Sequence, residues 1–232
     1  MTNSASTQGS LSPLQGKDLI LFDLDGTLVD SVPSLALAMD RMLQQLGRAP
    51  AGEERARQWV GNGAAMLVAR ALSGGREVDP ELDPGLKAEA LELFLQAYGD
   101  CADEQATLYP GVRACLQGLQ QRGLKLALVT NKPARFIEPL LQTLGLEDCF
   151  ELLLGGDSLS TKKPDPQPLR HCIDRLGSRP EATLMVGDSA TDVQAARNAG
   201  VAVAAVSYGY SYPLPVSAAE PDWLVDCLTE LL

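Results

Sequence analysis

Histidine is nearly absent from this 232-residue chain; His171 is the single example. Multi-histidine zinc sites are excluded by number. His171 falls in a helical-looking stretch, 168–176, with no matching cysteine or acidic ligand set nearby, so a histidine-based triad is not expected either. The five cysteines (Cys101, Cys115, Cys149, Cys172, Cys227) are scattered and never form a C-x-x-C pair. Neither a disulfide framework nor a zinc site is expected; they read as small buried hydrophobes. Basic residues are also short, 19 Lys and Arg against 30 Asp and Glu, a net charge of -11. With no basic cluster, nucleic acid and acidic membrane surfaces are not expected partners. No apolar run approaches the roughly 20 residues that span a bilayer. Residues 1–16, rich in Ser, Thr and Gln, lack a basic start and an apolar stretch. They read as a flexible tail rather than a signal peptide, and the expected location is cytoplasmic, as monomer or homodimer.

The remainder has enough apolar residues for one substantial domain, or a domain with a smaller insert. Its most informative stretch is Leu19-Ile20-Leu21-Phe22-Asp23-Leu24-Asp25-Gly26-Thr27. A short apolar run, read as a buried strand, ends in two aspartates one residue apart. Strand residues i and i+2 share a face, and ligands bind at the carboxyl ends of strands in open α/β sheets. Two acids there repel unless a cation or a proton sits with them. A divalent metal resolves this and leaves one carboxylate to attack while the other moves a proton. A plain surface turn is the alternative. A calcium loop would need further oxygen ligands and a closing glutamate, whereas Leu28 and Val29 follow.

Helical spacing is expected over 33–46, over 54–72 with a break at Gly61-Asn62-Gly63, and over 84–98. No strand is expected within 31–105. Alternation then sets in: helix 112–122, strand 124–129, helix 134–144, strand 150–154, helix 167–176, strand 183–186, helix 189–199 and strand 201–206. This order predicts an α/β fold, a doubly wound, Rossmann-like parallel sheet. Its core is expected over 17–30 and 106–232, with an all-helical insert over 31–105.

Three further strand ends carry chemistry. Thr130 and Asn131 precede a helix, where hydroxyl and amide donors suit phosphate oxygens, although Thr or Asn capping ahead of Pro133 is as good a reading. The Pro-rich turn Lys162-Lys163-Pro164-Asp165-Pro166 offers a lysine that offsets charge between a carboxylate and a phosphoryl group; a surface lysine pair is the alternative. Gly187-Asp188-Ser189-Ala190-Thr191-Asp192 contains a variant capping box in Ser189 and Asp192. Asp188 lies outside that explanation and adds a third carboxylate suited to Mg²⁺.

This ordered set resembles the haloacid dehalogenase superfamily of aspartate-nucleophile phosphotransferases over residues 18–226. Trp59-Val60-Gly61-Asn62-Gly63-Ala64, Tyr109-Pro110-Gly111-Val112 and Tyr208-Gly209-Tyr210 add to the likeness. The resemblance implies that Asp23 is the nucleophile and that Asp25 is the acid and base, oriented by Thr27. It implies that Thr130 and Asn131 hold phosphoryl oxygens, and that Lys163, favoured over Lys162 by Pro164, balances charge. Mg²⁺ would be held by the carboxylates of Asp23 and Asp188 and the carbonyl of Asp25, with Asp192 beside its water. The insert resembles a C1-type cap, with Gly61, Asn62 and Gly63 approaching the substrate or forming a plain inter-helix turn. Arg70 is a candidate for a substrate carboxylate, though a solvated helix face is the favoured reading. The implied substrate is a small anionic phosphate ester, 2-phosphoglycolate foremost, with N-acetylmuramic acid 6-phosphate or a hexose phosphate as alternatives. Mutase chemistry is disfavoured because 31–104 has no histidine. A phosphonate hydrolase would need a cap lysine, and Lys87 lies late in the cap; dehalogenases lack the second aspartate. A scaffold protein would have lost one of Asp23, Asp25, Lys163 or Asp188.

Overall fold

The structure, a computed structural model, describes residues 12–101 and 105–232; most of the expected flexible tail, residues 1–11, lies outside them. Residues 13–16 form a turn whose Leu14 packs against the core, so that expectation does not extend to them.

The run Leu19–Phe22 is buried at every position because it forms the central strand β1 of a parallel sheet. Continuous apolar strands belong where both faces are covered. The chain next forms β2 (Val29–Asp30), then helices α1 (Val32–Gln45), α2 (Glu53–Trp59), α3 (Ala64–Ser73) and α4 (Pro84–Gly99). It returns through β3 (Thr107–Leu108), which pairs antiparallel with β2 through Val29 and Leu108. The rest alternates: α5 (Val112–Gln121), β4 (Lys125–Val129), α6 (Ile137–Thr143), β5 (Leu152–Leu154), α7 (Gln167–Arg175), β6 (Thr183–Gly187), α8 (Ala190–Ala199), β7 (Ala202–Val206) and β8 (Trp223–Val225). The sheet order is β5-β4-β1-β6-β7-β8, every pair parallel.

Alternate residues of β1 feed opposite layers. Ile20 and Phe22 join α5 and α6 through Leu116, Leu119 and Leu140. Leu19 and Leu21 join α7 and α8 through Leu169, Ile173 and Ala196. Helices α1–α4 gather a third core around Met39, Met42, Trp59, Leu67, Phe94 and Tyr98, touched from the sheet side by Phe136 and Tyr210. Asp83 caps α4 by accepting from the Leu86 amide at 2.7 Å. Among the described residues no helix is long and apolar enough to cross a membrane, and none of the five cysteines is disulfide-bonded.

Three strands were not anticipated: β2, β3 and β8. The expected strand at 150–154 is shorter, and the helix expected at 134–144 starts as a 3-10 turn, Ala134–Phe136.

Candidate active site

β1, β4 and β6 end side by side, which brings Asp23, Thr130 and Asp188 to one edge of the sheet. Asp23 still belongs to the ladder, its amide donating to Val186 O at 2.9 Å. The chain then turns tightly, with Leu28 N bonded to Leu24 O and Gly26 N to Val29 O, both at 2.9 Å. Gly26 sits at φ 91°, and a β-carbon there would overlap the Asp188 carboxylate and the Tyr210 ring. Only glycine meets both demands.

Lys163 is buried. Its Nζ hydrogen-bonds Asp192 Oδ1 at 2.6 Å and forms an ion pair with Asp23 Oδ1 at 2.9 Å. The choice between neighbouring lysines is thereby made; Lys162 instead donates to the Asn62 carbonyl at 3.1 Å. Burial alone would lower the Lys163 pKa, but Asp192 and Asp23 outweigh it and the net displacement is upward. Asp192 also closes the start of α8, its Oδ2 accepting from Ser189 N at 3.1 Å and Ser189 Oγ at 2.6 Å. It is both the cap of α8 and the charge partner of Lys163.

Asp23, Asp188 and Asp192 each offer a carboxylate oxygen within 4.8 Å of the others. Burial raises the Asp23 pKa to about 6, with Lys163 opposing and Asp192 adding to the rise. Burial, then Asp192 and Asp23, push Asp188 well above the carboxylate range. Asp23 Oδ1 has the Lys163 ammonium as its neighbour at 2.9 Å. Crowded, desolvated carboxylates are the donor set a hard divalent cation needs.

Thr27 does not orient Asp25, contrary to expectation: its Oγ1 donates to Asp188 Oδ1 at 3.1 Å. The turn carries the Thr27 side chain across to β6, away from Asp25. Asp25 is held instead by Lys132, which the sequence reading passed over. Lys132 Nζ reaches Asp25 Oδ1 at 2.9 Å and Oδ2 at 3.2 Å, and donates to Tyr98 Oη on α4 at 2.6 Å. In sequence a lysine before Pro133 is indistinguishable from a solvated one; only the approach of α4 buries it. Thr130 is buried and accepts from the Lys132 amide at 3.2 Å, while Asn131 Nδ2 donates to Lys163 O at 3.0 Å.

On the helical side, Gly61-Asn62-Gly63 links α2 to α3 and reaches the sheet edge. Asn62 Nδ2 donates to Thr191 Oγ1 at 3.3 Å, and a β-carbon on Gly63 would lie 3.0 Å from Asn131 O. Arg70 is neither solvated nor free for a ligand. It is only 7% exposed and donates to Trp59 O at 2.6 Å, Arg76 O at 3.0 Å and Asn62 Oδ1 at 2.9 Å. The two late tyrosines brace the site from below. Tyr208 Oη donates to Thr27 O at 2.8 Å, and the Tyr210 amide donates to Asp188 Oδ2 at 2.6 Å. Tyr210 Oη donates to Asp30 Oδ1 at 2.5 Å and accepts from Ser31 N at 3.0 Å. His171 lies on α7, away from this edge.

A cavity opens above these groups, with Asp23, Asp25, Thr130, Lys132 and Lys163 on its floor. Leu35, Val60, Leu67, Phe94 and Tyr98 form its helical wall.

Residues 17–200 match the family model of the haloacid dehalogenase-like hydrolases, and the chain belongs to that family. It is 49% identical over 214 residues to the phosphoglycolate phosphatase of Pseudomonas putida, covering 92% of this chain and 78% of that one. The phosphoglycolate phosphatase of Colwellia psychrerythraea is 45% identical, with 94% and 97% covered. A crystal structure from Haemophilus somnus 129PT, described as a predicted phosphoglycolate phosphatase, superposes with a TM-score of 0.85 at 36% identity, covering 93% and 96%.

Proposed function

We propose that the protein is a Mg²⁺-dependent phosphomonoesterase that converts 2-phosphoglycolate to glycolate and phosphate. The observation that carries this reading is Asp23 at the strand end, desolvated, 2.9 Å from the Lys163 ammonium and one residue from Asp25. The near-equal likeness to two phosphoglycolate phosphatases supports the substrate.

Asp23 attacks phosphorus and forms an aspartyl-phosphate as the ester P–O bond breaks. Asp25 gives its proton to the departing glycolate oxygen, then takes one from water, which attacks the phosphorus and frees Asp23. Thr130 and Asn131 hold the phosphoryl oxygens, and Lys163 offsets the charge of the nucleophile as anion meets anion. The carboxylates of Asp23 and Asp188 and the carbonyl of Asp25 would hold Mg²⁺, with Asp192 beside a metal-bound water. The ion supplies neutralisation of phosphoryl and nucleophile charge when bound. Helices α1–α4 act as a cap that closes on the edge through Gly61, Asn62 and Gly63, excluding water.

The test is kcat/KM with Mg²⁺ for 2-phosphoglycolate, hexose phosphates and N-acetylmuramic acid 6-phosphate. A preference for 2-phosphoglycolate of about 100-fold, or about 2.7 kcal/mol, is expected. A peak on a sugar phosphate would overturn the substrate but keep the chemistry. Asp23→Asn should abolish turnover while leaving the circular dichroism spectrum unchanged; retained turnover would remove the nucleophile assignment.

A further inference from the structure

Among the described residues Lys132 and Lys163 line the cavity, and Lys162 and Arg70 lie beside it at Asn62. Lys163 sits between Asp23 and Asp192. Lys162 donates to the Asn62 carbonyl, and Arg70 is consumed by two backbone carbonyls and the Asn62 side chain. Lys132 has partners as well, but they are groups of the site itself: it is 5% exposed, lines the cavity, and donates to the Asp25 carboxylate and the Tyr98 hydroxyl. The wall above it is apolar, built from Leu35, Val60, Leu67 and Phe94, so an anion entering there has few polar groups to replace its water. A desolvated carboxylate requires a charged or hydrogen-bonding partner.

We propose that Lys132 is the specificity-determining residue that receives the substrate's carboxylate, with Tyr98 as the positioning residue that aims its ammonium. This rests on the phosphatase reading above, in which Asp25 serves the ester oxygen. In a phosphorylated 2-hydroxy acid the carboxylate carbon is two bonds beyond that oxygen. A cation hydrogen-bonded to both Asp25 oxygens is therefore within reach of the carboxylate when the ester oxygen faces Asp25. Tyr98 comes from α4 and is held by stacking on Phe94 at 5.8 Å and by the edge of Phe136 at 5.0 Å. The ammonium is anchored to this ring through its hydroxyl. Recognition of the acid is thus shared between a sheet-edge lysine and a cap tyrosine, and it is complete only while α4 lies over the site. The class of substrate follows: small phosphate esters with a carboxylate on the carbon next to the ester oxygen.

The experiment compares 2-phosphoglycolate with ethyl phosphate, which has the same two carbons and no carboxylate. The parent enzyme should prefer 2-phosphoglycolate by about 100-fold or more in kcat/KM. Lys132→Met should cut that ratio to within about 10-fold, its loss on 2-phosphoglycolate exceeding its loss on ethyl phosphate by about 10-fold or more. Equal losses on both substrates would overturn the proposal, since a lysine that merely supports Asp25 or the fold has no means of telling them apart. Tyr98→Phe, which keeps the ring, provides a second reading in case the methionine variant does not fold. It should lower the ratio through KM for 2-phosphoglycolate, and an unchanged ratio would overturn its role. A parent enzyme that hydrolyses both phosphates equally refutes the carboxylate site and leaves the phosphatase reading standing. One that hydrolyses neither refutes both.

Discussion

Asp23 and Asp188 are held in the fold at a cost that the proposed cation would offset. Both carboxyls are displaced upward, chiefly by burial, Asp23 to about 6. Protons therefore compete with the cation for the same oxygens. Mg²⁺ affinity, measured by calorimetry, should weaken steadily as pH falls below about 6, and the titration should release protons. An affinity flat from pH 5 to pH 8 would contradict the displacement. The same shift has a stability consequence. A carboxyl whose pKa is higher folded than unfolded contributes stability at acid pH, and that contribution is lost as pH rises through the folded value. Asp188→Asn removes the charge, and an amide can still accept from Tyr210 N and donate to Thr27 Oγ1. The metal-stripped variant should melt higher than the parent at pH 7 by about 2–4 °C, corresponding to about 1 kcal/mol. The gap should close near pH 4, and the variant should be inactive.

Short connecting elements hold parts of the site together. The turn from Leu24 to Val29 allows no side chain at Gly26, because Asp188 and Tyr210 occupy that space. Gly26→Ala should cost about 3 kcal/mol or more through overlap and a strained φ, readable as a fall in the urea midpoint. Arg70 performs the corresponding task among helices α1–α4, binding the end of α2 and the Asn62 side chain from α3. Arg70→Met leaves a buried carbonyl and amide without partners. It should cost about 2–4 kcal/mol and raise KM more than it lowers kcat, since the residue touches the loop and not the reacting atoms. The longer helices were legible because their apolar spacing repeats over three or more turns. β2, β3 and β8, of two or three residues each, carry no period to detect; they exist because neighbouring backbone offers partners.

At the scale of the molecule, the acidic chain buries two lysines, Lys132 and Lys163, inside the site. An anionic substrate meets a net charge of -11 on approach. The value of kcat/KM at saturating Mg²⁺ should rise modestly, by about 2-fold, between about 20 and 200 mM salt as this repulsion is screened. A steep fall with salt would mean that an exposed basic patch steers the substrate.

The alternation of strands and helices, the helical insert after β1 and the carboxylates at successive strand ends were all present in the amino-acid order. Each rests on local periodicity or on a residue's place at the end of a strand. Which lysine meets Asp23, what Thr27 bonds to and the entire role of Lys132, Tyr98 and Arg70 were decided by the tertiary structure. Thr27 meets Asp188 across 161 positions and Lys132 meets Tyr98 across 34, while the Arg70 contacts form as the separate helical core packs. Long flexible side chains show no sequence period that says whether they will be buried or solvated. Their partners are chosen only when α4 packs over the sheet edge and removes the water that would otherwise satisfy them.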